Sequence, residues 1–471
     1  MGKKERFYSD IMAMHPAVTG SSILLVTKFP NAENLRIVVD CGMFQERIYD
    51  DYNEALPFNP EAVDICLVTH NHVDHTGRLP LMVQKGYDKK IYATADTCRL
   101  LPPALHDSLN VISDIAKRKN KKCLYKEADV DRAIDLLEPC EDGKTIKIHE
   151  HVKVTFFING HLPGAASILV QLSYPEQEDI NILFTGDYHN KNIFFDVPKL
   201  PQWVLDLPLT IVQESTYGDM DTSEIKPCFR ENVARCVNEG GSVVVPVFSL
   251  GRAQQIAYEI KCMQKEKMIS TDIPIYLDGT LAHKYTNMYL KGYLNIKEEM
   301  RDFLPENLTF VDSAIREAIL QDNKCKIILT TSGMGSHGPA QMYIPEYVRR
   351  KNAMIHFTGF TTEGTMGHRL KTAEEGKTVE VGGMMVKKLA KVEYTNEYSG
   401  HAKANEMIDS LNQFSNIRLV LINHGPIDTK EKFAERVLDE TNARNVGILG
   451  REYLFRINHY GFVKSMTTKF M

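Results

Sequence analysis

Runs of β-branched and other apolar residues dominate the first 190 positions of the chain. They are SSILLV (21–26), LRIVVD (35–40), AVDICLVT (62–69), KVTFFI (153–158), SILVQL (167–172) and NILFTGD (181–187). Gly, Pro and Asn bound them, so each reads as a strand. Helical stretches are expected between them, at about 94–116 and 127–137, with a short one near 79–85.

From about 208 the pattern becomes a βα alternation. TIVQES (210–215), SVVVPVFS (242–249), PIYLDG (274–279), CKIILTTS (325–332) and AMIHFTGF (353–360) read as buried strands. Phe229, Val233 and Val237 recur four apart and predict a helix over 222–238, with Asp221 and Glu224 as its capping box. Another helix is expected over 252–266. Such an alternation predicts a parallel sheet. The pattern then reverts to short strands near KVEYT (391–395) and RLVLINH (418–424), with helices at 404–413 and about 428–442. The fold class is therefore α/β, one domain interrupted by another.

Composition narrows this further. The 471 residues are 43% apolar and 25% charged, with a net charge of −5. That is enough apolar material for a large core, and it excludes wholesale disorder. A chain gripping nucleic acid by bulk charge is expected to be basic, so composition alone argues mildly against that function. The nine cysteines are scattered with no C-x-x-C pair, which fits reduced thiols and a cytoplasmic setting rather than a disulfide framework. No signal-peptide pattern and no run of about 18 apolar residues exists, so no membrane span is expected.

The strongest chemical signal is THNHVDHTG (69–77), which holds His70, His72, Asp74 and His75 at the end of an apolar run. Imidazole nitrogen and carboxylate oxygen are the usual zinc ligands where thiolates are absent. In an extended segment His70 and His72 point to one side and can chelate one ion, while the following turn swings Asp74 and His75 toward a second. His161, Asp187 and His424 each follow another apolar run. Taken singly, each is more often structural. Their value is joint, because two zinc ions need about eight protein ligands.

These residues, in this order, resemble the metallo-β-lactamase superfamily, and within it the β-CASP branch of nucleic-acid-processing nucleases. The likeness runs over about 18–450. It includes Asp40, Cys41 and Gly42 of a DCG segment, the H-x-H-x-D-H motif, His161 and Asp187. The branch's own marks follow: Glu214 in ESTYG (motif A), His401 in SGHA (motif B) and His424 in NHG (motif C), with GRAQ (251–254), YLDG (276–279), TSGMGSHG (331–338) and GFTTEGTMGHR (359–369) between them. The resemblance implies an αββα sandwich over 1–204 and 391–471, interrupted by a β-CASP domain over 205–390. It also implies two Zn2+ per chain. One would be held by His70, His72, His161 and Asp187, the other by Asp74, His75, Asp187 and His424.

The function so implied is hydrolysis of phosphodiester bonds in single-stranded RNA by a two-metal hydroxide mechanism. Cleavage would be endonucleolytic, with exonuclease action left open, and would leave 3′-hydroxyl and 5′-phosphate ends. Asp74 counts among the catalytic residues. His401 is the expected general acid, and Glu214 would hold its ring and raise its pKa. Ser332, Gly333, His337 and Ser399, with the cations Arg252 and Arg369, are the candidates for substrate phosphates. His337 stands where the family more usually has Gly. Two rivals remain. A DNA nuclease of the same branch tends to carry Val where this chain has His424. A small-molecule metallo-hydrolase has no need of the long insertion or of the Glu214/His401 pair. A homodimer is left open.

Overall fold

The computed structural model describes residues 7–15, 18–30, 33–335, 337–359, 361 and 364–467. Ser336, Phe360, Thr362 and Glu363, which fall within the expected landmarks at 331–338 and 359–369, lie outside them, as does the end of the strand expected over 353–360. The chain divides into two compact units, residues 1–222 with 400–471, and Ser223–Ser399.

The first unit is an αββα sandwich. One sheet has the strand order Gly461–Thr467, Tyr453–Asn458, Tyr8–Ala13, Ile23–Lys28, Leu35–Val39, Ile65–Leu67, Ile91–Thr94 and Leu137–Cys140. The other runs Val446–Ile448, Ile417–Asn423, Leu209–Glu214, Ile180–Phe184, Ala166–Leu172, Val152–Ile158 and Ile146–His149. Alternate residues of both sheets, such as Ile11, Leu25, Ile37, Val154, Ile168, Ile182 and Leu421, close a shared core between the layers. The outer faces bury against helices: Leu101 and Leu105 of Ala95–Lys119 cover the first sheet. Met407 and Ile408 of Ala404–Leu411 and Phe433 and Val437 of Ile427–Glu440 cover the second. Strands Ile180–Phe184, Leu209–Glu214 and Ile417–Asn423 are parallel neighbours, so their carboxyl ends share one edge of the sheet.

The second unit carries a six-stranded sheet, Leu308–Phe310, Ile275–Asp278, Ile327–Thr330, Ser242–Pro246, Ala353–Phe357 and Lys391–Tyr394, in which every pairing is parallel. A two-stranded hairpin, Thr378–Val381 with Met384–Lys387, accompanies it.

Three expectations shift. Strand Leu209–Glu214 pairs within the sandwich, and Lys391–Tyr394 pairs with Ala353–Phe357 of the other sheet. The interruption therefore falls at Ser223–Ser399 rather than 205–390. The helix expected from 222 begins at Phe229, preceded only by a 3-10 turn at Thr222–Glu224. Pro227 disfavours helical backbone at the residue before it, so Asp221 and Glu224 form no cap for that helix. Among the described residues no helix is long and apolar enough to cross a membrane.

Candidate metal centre and acid pair

The expected metal ligands and Glu214 stand at or just past a strand's carboxyl end in the sandwich unit, where an α/β fold characteristically binds ligands. His70 and His72 follow Ile65–Leu67, and the short helix Val73–Thr76 carries Asp74 and His75. His161, Asp187 and His424 follow Val152–Ile158, Ile180–Phe184 and Ile417–Asn423, and Glu214 ends Leu209–Glu214. His401 precedes Ala404–Leu411.

The side chains converge in three groups. His70, His72, His161 and Asp187 form one, Asp74, His75 and His424 a second, and Asp187, Glu214 and His401 a third. In the first, His72 Nδ1 lies 3.1 Å from His70 Nε2 and 3.2 Å from His161 Nε2. Asp187 Oδ2 is 3.7 Å from His70 Nε2 and 3.3 Å from His75 Nε2, so this one carboxylate reaches toward both ligand groups. His424 Nε2 is 3.8 Å from Asp74 Oδ2.

The outer partners fix which ring nitrogen faces inward. Asp40 accepts from the Thr69 N–H and hydroxyl and from His75 Nδ1, at 2.8, 2.9 and 2.8 Å. Since the Thr69 hydroxyl is spent on Asp40, His70 Nδ1 at 3.1 Å must donate to it. His161 Nδ1 donates to the Gly400 carbonyl at 2.9 Å. His70 and His161 thereby keep Nε2 as a lone pair turned into the group, and His75 turns its Nε2 the same way. His75 Nε2, His424 Nε2 and Asp187 Oδ1 are buried without a hydrogen bond. Leaving such atoms unpartnered costs free energy, and a divalent cation is a natural partner for acceptors of this kind. The donor set fits zinc.

The electrostatics agree. Burial holds His70 and His161 far below the ordinary imidazole range, helped by the neighbouring His75 and His401 respectively. Burial takes His72 down to about 4. Burial opposes the charged form of Asp74, yet the neighbouring His424, His75 and His72 take it down to about 2. Asp187 is likewise held well below its usual range, against burial, by His424 and His75. His75 moves up: burial resists, but Asp187 and Asp40 prevail. A cation entering here meets neutral imidazoles and ionised carboxylates, and displaces one proton from His75.

Beside these groups, His401 Nδ1 donates to Glu214 Oε1 and Oε2 at 3.1 and 3.0 Å. The Tyr188 and Thr216 N–H groups, at 2.9 and 3.3 Å, hold the carboxylate. Burial disfavours charge on His401, but Glu214 outweighs it, and the imidazolium persists above its ordinary pKa.

The expected phosphate contacts all lie in the Ser223–Ser399 unit. Ser332 N–H donates to the His337 carbonyl at 3.1 Å and Ser332 Oγ accepts from the His337 N–H at 3.2 Å, closing a loop past strand Ile327–Thr330. Gly333 packs on Phe248: an added Cβ would sit 2.8 Å from the ring. At Gly359 an added Cβ would sit 3.5 Å from Arg252 Nη1, so Arg252, Phe248, Gly333 and Gly359 gather at the carboxyl ends of adjacent strands. Arg369 is engaged otherwise, donating to the Gly364 and Glu380 carbonyls at 2.8 and 3.4 Å. Ser399 N–H donates to the Asn396 carbonyl at 3.2 Å. Sequence reasoning named Asp40 only as a landmark, and it overlooked Thr69, Thr216 and the Gly400 carbonyl. Their roles depend on contacts that no spacing rule reveals, although the left-handed φ of +61° at Asp40 marks an unusual position.

Comparison with known proteins places the chain. Residues 16–225 match the family described as metallo-beta-lactamase superfamily, 253–370 the Beta-Casp domain, and 385–447 the Zn-dependent metallo-hydrolase RNA specificity domain. An RNase J-like protein of Methanocaldococcus jannaschii is 30% identical over 409 residues, covering 83% of this chain and 87% of that protein. A ribonuclease of Thermus thermophilus is 29% identical over 422 residues, 87% of this chain and 90% of its own length. A transcription termination factor of Methanosarcina mazei is 28% identical over 411 residues, 79% of this chain but 60% of that longer protein. The chain belongs to the β-CASP family of the metallo-β-lactamase superfamily.

Proposed function

We propose that this protein is a zinc-dependent ribonuclease that hydrolyses internal phosphodiester bonds of single-stranded RNA, leaving 3′-hydroxyl and 5′-phosphate ends. The observation that carries the reading is the juxtaposition of two ligand groups, His70/His72/His161/Asp187 and Asp74/His75/His424, with the Glu214–His401 pair. A small-molecule hydrolase has no use for that pair. The RNA specificity domain matched over 385–447 and the ribonuclease relatives support RNA over DNA.

Asp187 would serve both ions, with the remaining ligands divided as the two groups divide them. Zinc bound there would supply Lewis acidity, polarising a phosphoryl oxygen and lowering the pKa of water so that its deprotonated, nucleophilic form is available near neutral pH. The chain does the rest. Asp40, Thr69 and the Gly400 carbonyl hold the ligand rings in one tautomer. Asp74 stays ionised at neutral pH. His401 Nε2 delivers a proton to the departing ribose oxygen, while Glu214 anchors Nδ1 and keeps the imidazolium populated. Arg252 and the backbone around Ser332 and Gly333 meet flanking phosphates, with His337 and Ser399 as further contacts and Arg369 the weakest candidate.

The net charge of −5 does not oppose this reading, because two zinc ions would add four positive charges where the phosphate sits. The test measures zinc content together with cleavage of single-stranded RNA and of DNA of the same sequence. The reading expects about two zinc ions per chain and cleavage of RNA only. Cleavage of DNA at an equal rate, or a protein that holds no zinc, overturns it.

A further inference from the structure

The acid pair and the two ligand groups are joined through two short stretches of backbone. The first is Gly400–His401. The Gly400 carbonyl accepts from His161 Nδ1 at 2.9 Å, and the next residue is His401, whose ring centroid lies 4.7 Å from that of His161. A Cβ added at Gly400 would sit 3.0 Å from His161 Nδ1 and 3.1 Å from its carbonyl oxygen. Any side chain at position 400 therefore presses on the ligand.

The second stretch is Glu214–Thr216. The Thr216 N–H reaches Glu214 Oε2 at 3.3 Å, and its hydroxyl lies 3.0 Å from His424 Nδ1. Asp187 Oδ1 is also 3.4 Å from that nitrogen, which favours a proton on Nδ1 and a lone pair on Nε2. The neighbouring Ser215 N–H and hydroxyl donate to the His424 and Asn423 carbonyls at 3.0 and 2.8 Å. The result is a continuous chain of contacts: His161, Gly400, His401, Glu214, Thr216 and His424.

We infer that Gly400 and Thr216 are positioning residues that couple zinc loading to placement of the His401 imidazole. Each fixes the tautomer of one ligand histidine and, through the same few atoms of backbone, one end of the acid pair. The coupling is reciprocal: to the extent that zinc on His161 and His424 orders the two stretches, disturbing either stretch loosens zinc. The inference rests on the proposed reading of these groups as zinc ligands and general acid. It adds that the two are not independent modules.

The experiment uses the full chain and three variants, Thr216→Val, Thr216→Ser and Gly400→Ala. Zinc affinity is read by competition with a chromophoric chelator, the ligand field by the visible spectrum of the cobalt-substituted protein, and kcat and KM on single-stranded RNA. Thr216→Val is expected to lower zinc affinity about 10- to 100-fold, as loss of a ligand's outer partner typically does, and to lower kcat with KM unchanged. Thr216→Ser, which keeps the hydroxyl, restores both. Gly400→Ala weakens zinc and changes the cobalt spectrum, whereas His401→Ala, which keeps the Gly400 carbonyl on His161, lowers zinc affinity less than either Gly400→Ala or Thr216→Val. Wild-type zinc affinity in both Thr216→Val and Gly400→Ala overturns the coupling, whatever happens to the rate. A wild-type protein that binds no zinc overturns the proposed function instead, so the two failures are distinguishable. Thr216→Ser keeps the test decisive should Gly400→Ala not fold.

Discussion

Two buried aspartates stand at strand carboxyl ends, one in each unit, and their surroundings differ in kind. Asp278, in the Ser223–Ser399 unit, is 0% exposed and fully engaged. Arg316 grips it through Nε and Nη2 at 2.6 and 2.8 Å, and the Tyr343 hydroxyl donates at 2.8 Å. Asp187, in the sandwich unit, is 3% exposed, but no arginine or lysine pairs with it among the described residues. Imidazoles surround it, and its Oδ1 lacks a hydrogen bond. Burial of a carboxylate therefore does not identify a functional site. The mark is an acceptor that the chain leaves unsatisfied, surrounded by neighbours that are also acceptors.

The same contrast runs through the two strand-end regions. In the sandwich unit the proposed chemistry rests on side chains, several of which have an outer partner. In the other unit the proposed phosphate contacts rest on backbone and glycine, as at Gly333 against Phe248 and at the hydrogen bonds between Ser332 and His337. Fixed ions need oriented side chains, whereas phosphates can be met by N–H groups and a cation such as Arg252.

Substitutions that separate the two kinds of carboxylate test this contrast most strongly. Asp187→Ala should abolish RNA cleavage by roughly 10⁴-fold, since Lewis-acid stabilisation is worth several kcal/mol. The same protein should retain less zinc, measured by elemental analysis. His401→Ala should lower kcat roughly 10²- to 10⁴-fold, the span of general acid catalysis, with zinc content kept. The pH dependence follows from the direction of the His401 shift. Glu214 raises that pKa, so the donor form survives to higher pH, and activity falls as pH rises through it. Glu214→Gln should move the alkaline limb of the kcat profile to lower pH; a limb that stays in place breaks the assignment.

Asp278→Asn is the counterpart. It removes one partner of a buried ion pair and should destabilise the protein by about 3 kcal/mol, seen in urea unfolding, while zinc per folded chain is unchanged. Loss of zinc in that variant would erase the contrast. Arg252→Ala should have the smallest effect, raising KM about tenfold for one lost charge-assisted phosphate contact, with zinc content as in wild type.

The chain discloses some of this arrangement and conceals the rest for physical reasons. Strands such as Val152–Ile158 and Ala166–Leu172 are legible because both faces are mostly buried, so apolar residues dominate them. Strands Tyr8–Ala13, Leu137–Cys140 and Gly461–Thr467 escape notice: the first mixes Ser9 and Asp10 among apolar residues, the second holds Glu138 and Pro139, and the third is exposed along most of its length. Lys391–Tyr394 is visible as a strand, yet nothing local tells which sheet it joins, because pairing is a long-range choice. The ligand residues are legible as residue types after strands. The split of His70 and His72 from Asp74 and His75 is legible in the spacing, the assignment of His161, Asp187 and His424 only through the resemblance, and the Gly400 carbonyl and Thr216 hydroxyl not at all. A carbonyl has no sequence signature, and threonine has many uses.

The central claim is that the two ligand groups hold zinc and that this zinc drives RNA hydrolysis. Digestion of 5′-end-labelled single-stranded RNA by protein stripped with chelator, before and after zinc is returned, tests it most directly. The account predicts no cleavage after stripping, recovery with zinc, and internal fragments ending in 3′-hydroxyl. Cleavage at the full rate by the stripped protein would contradict it.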